Sequence, residues 1–330
     1  MGAPQVITLL PSLEHTPDAK YFTYDCGAHR YGVVNGPYRT DAHGRAEFAG
    51  VDGVFRSADP LATTISLAPS ESAVGLEPGP AAYDARGVWL HGAYVDEDGV
   101  LHGYYHAEHP IPTNARPRTP HKSLAYAESR DCGKTWTKPA YPDNRIITGS
   151  DPTTDAGDAN VVVVGGYLYL FYTESSLSSE PVPAMARSRL ADAGRPGTWF
   201  KFHCRRGGRC AFNEPGQGGK ASAIDGRNLD TFVSYNTYLR EYLAIDASIV
   251  SNTVEFKVSR DAIRWIRLGN ATRLPAPPRG QEYFYPSIIS LDGTSAVSSR
   301  SFWLYYTQRS ASSDVERSLR RVRMRFESSA

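Results

Sequence analysis

An all-β fold built from a repeated four-stranded unit is predicted by three features of the sequence. The first is a set of four aromatic stretches that look like variants of one strand, at residues 100–109, 167–175, 241–250 and 301–310. The second is a set of tight turns, such as Asp98-Gly99, between apolar runs that alternate with polar residues. The third is that no segment keeps the apolar spacing of an amphipathic helix over a dozen residues, so we expect few helices.

The spacing of the repeat sets the number of units. Aligning Tyr105, Tyr172, Ile245 and Tyr306 gives separations of 67, 73 and 61 residues. A unit of about 67 residues fits about five times into the chain. Because four antiparallel strands repeated around an axis form the blades of a β-propeller, the sequence predicts a five-bladed β-propeller in which residues 1–330 form one domain.

Each unit should contain a first strand, the aromatic second strand, a third strand and a short fourth strand. In the divergent first unit, the second strand surrounds Tyr38 and the third covers 53–59. The strands of the second unit are 88–95, 100–109, 123–131 and 135–138, and those of the third are 159–164, 167–175, 183–190 and 198–202. The last unit ends at 319–326 without an outer strand. The N-terminus carries a spare strand at 5–10, and we expect residues 6–10 to complete the last unit and close the ring, since an open edge leaves backbone groups unpaired.

The composition restricts the partners of the protein. A net charge of +1 and a pI near 7.7 give no electrostatic reason to expect nucleic acid or a membrane as partner. No apolar run is long enough to cross a bilayer. The first residues show no signal-peptide pattern.

The four cysteines favour an oxidising compartment. Cys204 and Cys210 bracket a short flexible loop that a disulfide would staple, while Cys26 and Cys132 either pair with each other or remain free. An even number of cysteines suits an exported protein. We therefore expect a secreted or periplasmic protein. We also expect it to be a monomer.

Two turn motifs carry a resemblance to known enzymes. Residues 129–136 read Ser-Arg-Asp-Cys-Gly-Lys-Thr-Trp and match the Asp-box pattern S-x-D-x-G-x-T-W at every fixed position, and 259–265 is a degraded copy. Together with the aromatic strands, these motifs make roughly residues 80 to 310 similar to the five-bladed furanosidase-type glycoside hydrolases (arabinanases, arabinofuranosidases, levanases and fructosidases). The resemblance implies hydrolysis of a glycosidic bond, with a furanoside favoured. Sialidases share the Asp box but have six blades.

The acidic residues expected at the ligand-binding face form the candidate catalytic set. In a propeller, the starts of first strands and the ends of second strands lie at one face, where we place Asp84, Asp158, Asp225, Asp230, Glu282, Glu108 and Glu174. Glycoside cleavage needs one protonated and one ionised carboxyl group. Strand alternation puts Glu108 on the same face as His106, so Glu108 is the preferred general acid, and Asp158 is the preferred base. Asp84 and Glu282 are supporting candidates, one as pKa modulator and the other as hydroxyl acceptor.

Aromatic and polar residues near the first strands are the candidate sugar-binding groups. Those predicted to contact substrate are Trp89, His91, His106, Asn160, Tyr235, Asn236 and Tyr285. Five of the nine histidines fall in the second unit, but their spacing lacks the helical pattern of a zinc site, so we expect no cofactor and leave open only a structural calcium or sodium ion in the channel. The alternatives to a furanosidase are a carbohydrate-binding propeller without catalysis and a sialidase-like exo-glycosidase.

Overall fold

The computed structural model describes most of the chain, and the statements that follow concern this part. The described residues are 5–6, 8–10, 20–35, 38–40, 46–48, 53–56, 64–66, 76, 83–109, 121–151, 154–176, 182–205, 208–224, 230–248, 253–268, 274, 277–310 and 313–327. They form an all-β structure of 25 strands with one short 3-10 helix at Leu190–Asp192. No helix in these ranges is long and apolar enough to span a membrane.

The two sheets in the middle of the chain contain the second and third predicted units. Sheet 2 runs from its inner to its outer strand through β9 (Gly87–Val95), β10 (Leu101–Glu108), β11 (Lys122–Ser129) and β12 (Arg145–Ile147). Sheet 3 runs in the same way through β13 (Thr154–Val164), β14 (Tyr167–Ser176), β15 (Val182–Arg189), β16 (Phe200–Cys204) and β17 (Cys210–Pro215).

The next two sheets contain the last two predicted units. Sheet 4 consists of β18 (Asp230–Asn236), β19 (Glu241–Ser248), β20 (Thr253–Ser259) and β21 (Ile266–Arg267), with β23 (Val297–Ser298) parallel to β18. Sheet 5 consists of β22 (Gln281–Ser290), β24 (Ser301–Ser310), β25 (Ser313–Arg325) and β1 (Gln5–Val6).

The N-terminal part of the chain forms smaller sheets. Sheet 1 has three antiparallel strands, β3 (Phe22–Cys26), β4 (His29–Val34) and β7 (Gly53–Arg56). Two further pairs are β2 (Thr8–Leu10) with β8 (Thr64–Ser66), which is parallel, and β5 (Tyr38–Thr40) with β6 (Ala46–Phe48).

The predicted all-β propeller arrangement is confirmed, but the predicted number of complete blades is not. The repeated positions Tyr105, Tyr172, Ile245 and Tyr306 lie on the second strands of sheets 2 to 5 and are 0, 3, 0 and 2 % exposed. The repeat is therefore a packing repeat of the core. Four sheets have four or more strands, whereas the first unit forms a sheet of only three.

Several predicted strands differ from the observed ones because pairing depends on distant residues. The outer strand of sheet 2 is β12, and the predicted strand 135–138 contributes only an isolated bridge from Thr137 to Glu128. In sheet 1 the second strand is β4 and not the segment around Tyr38, while β7 begins at the predicted Gly53. Of residues 5–10, only Gln5 and Val6 pair with sheet 5.

Local side-chain contacts hold the turns and join the sheets. Both disulfides are formed. Cys204–Cys210 is the predicted one, and Cys26–Cys132 is one of the two alternatives for the other cysteines. The Cys26–Cys132 disulfide links sheet 1 to sheet 2. In the turn at 129–136, Asp131 Oδ1 accepts a hydrogen bond from the Thr135 amide at 2.8 Å. This carboxylate therefore stabilises the turn.

The inner strands of three sheets carry β-bulges at corresponding places. In β9 the extra residue is His91, in β13 the bulge lies between Gly157 and Asn160, and in β22 it lies between Phe284 and Ser287. The two later bulges lie opposite repeated tyrosines. Because bulges change the direction of side chains on a strand, they reorient residues of the inner strands of these three sheets.

Candidate active site

The candidate site begins where β10 ends. Glu108 is the last residue of this strand and is paired with Gly87 on one neighbouring strand and with Lys122 on the other. Strand alternation places the His106 side chain on the same face as Glu108. This is also the end at which β9 begins.

The His106 imidazole lies between two carboxylates. Its Nε2 atom is 3.7 Å from Glu108 Oε1, and its Nδ1 atom is 3.6 Å from Asp158 Oδ1. The ring is 4 % exposed and meets the Trp89 indole edge-on, with 5.3 Å between the ring centroids. The structure therefore brings together Glu108, His106, Asp158 and Trp89 from two sheets.

The backbone of β13 carries Asp158 to this position. Asp158 has a positive φ of 51°, a conformation that few residues other than glycine adopt. It belongs to the bulge, and its amide donates a hydrogen bond of 3.3 Å to His106 Nδ1. A Cβ atom on the preceding Gly157 would lie 2.9 Å from atoms of the imidazole. The glycine is needed here because the ring packs directly on the backbone.

Burial and charge act in opposite directions on the central pair. Burial favours the neutral imidazole, but Asp158 and Glu108 together raise the pKa of His106 above its ordinary value. Burial likewise favours the neutral form of Asp158, but the neighbouring His106 lowers the pKa of that carboxyl well below its ordinary value. These opposing effects favour an ionised Asp158 carboxylate at neutral pH and make His106 easier to protonate than a free imidazole.

His91 behaves differently although it lies beside the pair. Its imidazole is buried and packs against His106, with 5.6 Å between the ring centroids. Burial, with a smaller contribution from His106, holds the pKa of His91 well below its ordinary value. Its Nδ1 accepts a hydrogen bond from the Ala159 amide at 2.9 Å, so the neutral ring carries its proton on Nε2.

These protonation states test whether the cluster suits a metal ion. One ligand atom each from His91, His106 and Asp158 lie within 4.8 Å of one another. A metal needs a free lone pair on each imidazole, but the Nδ1 atoms of His91 and His106 both accept hydrogen bonds from backbone amides of β13. Calcium prefers oxygen ligands, and only Asp158 supplies a carboxylate. The three residues fit a charge pair with a neutral neighbour better than a metal site.

Two of the predicted acids lie away from this cluster. Asp84 is 2 % exposed and its carboxylate is 2.8 Å from the Lys138 ammonium. It also accepts a hydrogen bond from Tyr105, which points to the opposite face of β10 from His106. Glu282 starts the inner strand of sheet 5 and forms an ion pair of 3.3 Å with Arg309. Both carboxylates have basic partners of their own.

Four of the predicted sugar-binding residues have contacts within the fold, away from the cluster around His106. Asn160 accepts a hydrogen bond from the Val233 amide at 2.8 Å and so ties sheet 3 to sheet 4. Asn236 is fully buried and organises the turn after β18. Tyr235 packs edge-on against Tyr242. Tyr285, half-buried with a φ of 51°, lies in the bulge of β22.

The remaining acids at the predicted face have mixed positions. Glu174 is 2.9 Å from the ammonium of Lys201, which is fully buried, so this carboxylate belongs to the core of sheet 3. Asp225 lies outside the described residues, and so does the side chain of Asp230. The predicted convergence of acids is therefore seen for Glu108 and Asp158.

Two lysines at the site were not predicted. Lys122 Nζ is 3.8 Å from Glu108 Oε1, and the buried Lys20 donates a hydrogen bond of 2.9 Å to the Thr231 carbonyl and one of 3.3 Å to the Asp158 carbonyl. The pairing of Lys122 with Glu108 follows from the register of β10 and β11, and sequence alternation alone does not give this register. Lys20 comes from a segment with no recognisable motif.

Comparisons with known proteins identify similar folds. No profile of a known protein family matches the sequence, and no curated protein matches it. A β-1,3-galactosidase of glycoside hydrolase family 43, solved with galactodeoxynojirimycin, superimposes with a TM-score of 0.57 at 12 % identity over 99 % of this chain and 96 % of that chain. A protein of Bifidobacterium bifidum s17 assigned as an exo-beta-1,3-galactanase gives 0.57 at 11 % identity, covering 99 % of this chain and 94 % of that one.

A third similar structure is larger than this protein. The fructofuranosidase of Schwanniomyces occidentalis, solved with fructose, gives a TM-score of 0.51 at 11 % identity and covers 72 % of this chain. This chain spans 43 % of that enzyme. At such low identities the likeness concerns the fold, and this chain shares the propeller arrangement of all three.

Proposed function

We propose that the protein is a glycoside hydrolase that cleaves a glycosidic bond of a polysaccharide or glycoconjugate with Glu108 and Asp158. The observation that carries this proposal is that two carboxyl groups from different sheets meet at one imidazole near the mouth of the channel. Propellers of three similar solved structures, which are named as glycosidases, support the same reaction class.

The electrostatics assign the roles. Asp158 stays ionised beside His106 and has the more exposed carboxylate, at 27 % against 9 % for Glu108, so it is the base that activates water. Glu108, the less exposed of the two carboxyl groups, is the general acid.

Two substrate classes are supported by different observations. The strand and turn motifs resemble furanosidases, whereas the two similar structures that this chain spans almost completely are named for β-1,3-galactose linkages. A panel of nitrophenyl furanosides and galactopyranosides, with arabinan, levan and β-1,3-galactan, separates these classes.

Substitution of the two carboxyl groups tests the proposal. Glu108→Gln and Asp158→Asn should each lower kcat on the active substrate by at least about a thousandfold. Glu241→Gln, which changes an acid on sheet 4 paired with Arg260 at 2.9 Å, is the matched control and should keep full activity. Full turnover in either Glu108→Gln or Asp158→Asn would refute the assignment.

A carbohydrate-binding propeller without catalysis is the second candidate, and one observation favours it. The His106 ring occupies the space between Glu108 and Asp158, where an enzyme of this class has the scissile bond. If the panel shows binding of a sugar without turnover, and Asp158→Asn weakens that binding, the second candidate replaces the first.

We also propose a closed five-bladed ring, with sheet 1 as the divergent blade. Contacts between inner strands support this, because β3 contacts β9, β9 contacts β13, β13 contacts β18, β18 contacts β22, and β22 contacts β3. The pairing of β1 with β25 joins the two ends of the chain. The remaining proposals are a single domain, a monomer secreted or periplasmic by its two disulfides, and a reaction that needs no cofactor, with carbohydrate as its partner.

A further inference from the structure

A cleft opens next to Glu108, between sheets 2 and 3. It has a volume of about 420 Å³ and begins at Lys122, whose ammonium is 3.8 Å from Glu108 Oε1. Arg145 and Gly218 line the cleft farther from the channel. Its volume is in the range of small-molecule sites, about 300–1,000 Å³. A saccharide that reaches Glu108 can therefore continue into this cleft.

The acidic groups of the cleft are already engaged. Asp155 Oδ1 is 2.6 Å from His121 Nδ1 and accepts a hydrogen bond from the Lys122 amide at 3.0 Å. Asp151, at the exposed rim, accepts one from the Thr154 hydroxyl at 3.0 Å. The charges of these two aspartates are thus partly offset by local donors.

The histidine at the inner wall is uncharged near neutral pH. Burial, with help from the nearby His121 and Arg145, lowers the pKa of His109 to about 4. Its Nε2 lies 2.9 Å from the Ser123 hydroxyl. His109 therefore contributes hydrogen-bonding capacity to the wall and no charge.

Arg145 is the cation of the cleft that has no acidic neighbour. Among the described residues no carboxylate lies within 4 Å of its guanidinium, and its Nε is buried there with no hydrogen-bond acceptor. The guanidinium lies over the Tyr141 ring at 5.1 Å from the centroid. Tyr141 is 57 % exposed and stacks on Tyr83, with centroids 5.0 Å apart. A guanidinium that is held over an aromatic ring and has no carboxylate within 4 Å in the described part of the chain is suited to a ligand that carries an oxyanion.

We propose that this cleft binds a sugar residue bearing a carboxylate or a sulfate ester, adjacent to the bond on which Glu108 and Asp158 act. The identification of the ligand as a saccharide rests on the proposed function. Arg145 pairs with the oxyanion of this sugar residue.

Calorimetric titration of the full chain tests this proposal, in an Asp158→Asn background that prevents turnover. The probes are trigalacturonic acid, a sulfated chondroitin disaccharide and neutral galactotriose. We expect at least one acidic probe to bind at least tenfold more tightly than galactotriose, and Arg145→Gln to remove this advantage. Arg260→Gln, which changes an arginine that is 88 % exposed and paired with Glu241, should leave it intact. The two acidic probes show which oxyanion is preferred.

Other outcomes overturn the proposal. Equal affinity for acidic and neutral probes would do so, as would an Arg145→Gln protein that binds acidic probes like the parent. The salt dependence of the parent protein is a second measurement that does not depend on the folding of Arg145→Gln, and affinity for the acidic probes that does not fall from 50 to 300 mM salt also contradicts the proposal. Arg145-dependent binding of acidic probes without hydrolysis in the wild-type protein would refute the proposed function and leave the anionic site standing.

Discussion

Removal of the Asp158 charge should change the stability of the protein in a defined pH window. The Asp158 and His106 side chains are 27 % and 5 % exposed, with 3.6 Å between Oδ1 and Nδ1. Two unit charges at that distance attract by about 1.2 kcal/mol in water and by about 4.6 kcal/mol at an effective dielectric constant of about 20. Because the His106 side chain is buried and the Asp158 side chain is partly exposed, we expect a coupling free energy between these two limits, of about 2 kcal/mol.

The pH dependence follows from the direction of each shift. The pKa of Asp158 is lowered from 3.8, so its contribution is present above that value and is lost as the pH falls below it. The pKa of His106 is raised from 6.5, so its contribution is complete below that value and is lost as the pH rises through the folded-state pKa. The pair should therefore stabilise the fold most between about pH 4 and 6.5.

Urea unfolding of the wild type, Asp158→Asn, His106→Asn and the double variant from pH 3 to 9 measures this coupling. The double-mutant cycle removes contributions that Glu108, Lys122 and His91 make to each single variant. We expect a coupling of about 2 kcal/mol at pH 5.5 that declines toward pH 9. A coupling that is below about 0.3 kcal/mol at pH 5.5, or that is the same at both pH values, would show that the imidazolium–carboxylate pair does not form.

Three further predictions concern the packing around the site. Gly157→Ala should lower the free energy of unfolding by about 1–3 kcal/mol and displace the His106 ring in NMR spectra, since the new Cβ would lie 2.9 Å from ring atoms; an unchanged ring resonance would contradict the close packing. Replacing Cys26 and Cys132 together by serine should cost about 4.8 kcal/mol for a loop of 106 residues, measured by chemical unfolding, and a loss below about 1 kcal/mol would oppose the link between sheets 1 and 2. Asp84→Asn should lower stability by about 3 kcal/mol, because it removes a carboxylate 2.8 Å from a lysine ammonium, and should leave kcat unchanged; a large loss of kcat at normal stability would return Asp84 to the catalytic set.

The parts of the fold that depend on local sequence could be predicted. The second strands were recognised because their alternation and aromatic content are local, and the buried positions Tyr105, Tyr172 and Tyr306 confirm it. The same alternation placed Glu108 and His106 on one face. The predicted outer strand of sheet 2, at 135–138, is wrong. The pattern of 135–138 is compatible with a strand, but pairing with β11 selects β12 instead.

The positions that depend on irregular backbone could not be predicted. Asp158 was expected just before the first strand of its unit, whereas it lies within β13, in a bulge that only the register of the sheet reveals. Asn160 was predicted to contact substrate, but its side chain accepts a hydrogen bond from a backbone amide of the next sheet. Asp84 was placed with Glu108 by its position in the chain, yet the two carboxylates lie on opposite faces of β10. Polar residues near a channel thus divide into those that support the fold and those that face the cavity, and sequence position does not separate them.

Gly157 is the point at which fold and site depend on each other. The absence of a side chain lets the His106 ring rest on the backbone, and the left-handed conformation of the next residue turns Asp158 toward that ring. The bulge lies opposite Tyr172, which is buried in the core of sheet 3, so displacement of Asp158 requires movement of the inner strand as a whole. The contact between His106 and Asp158 is therefore held by the backbone, and a ligand entering this end of the channel meets a charge pair that is already in place.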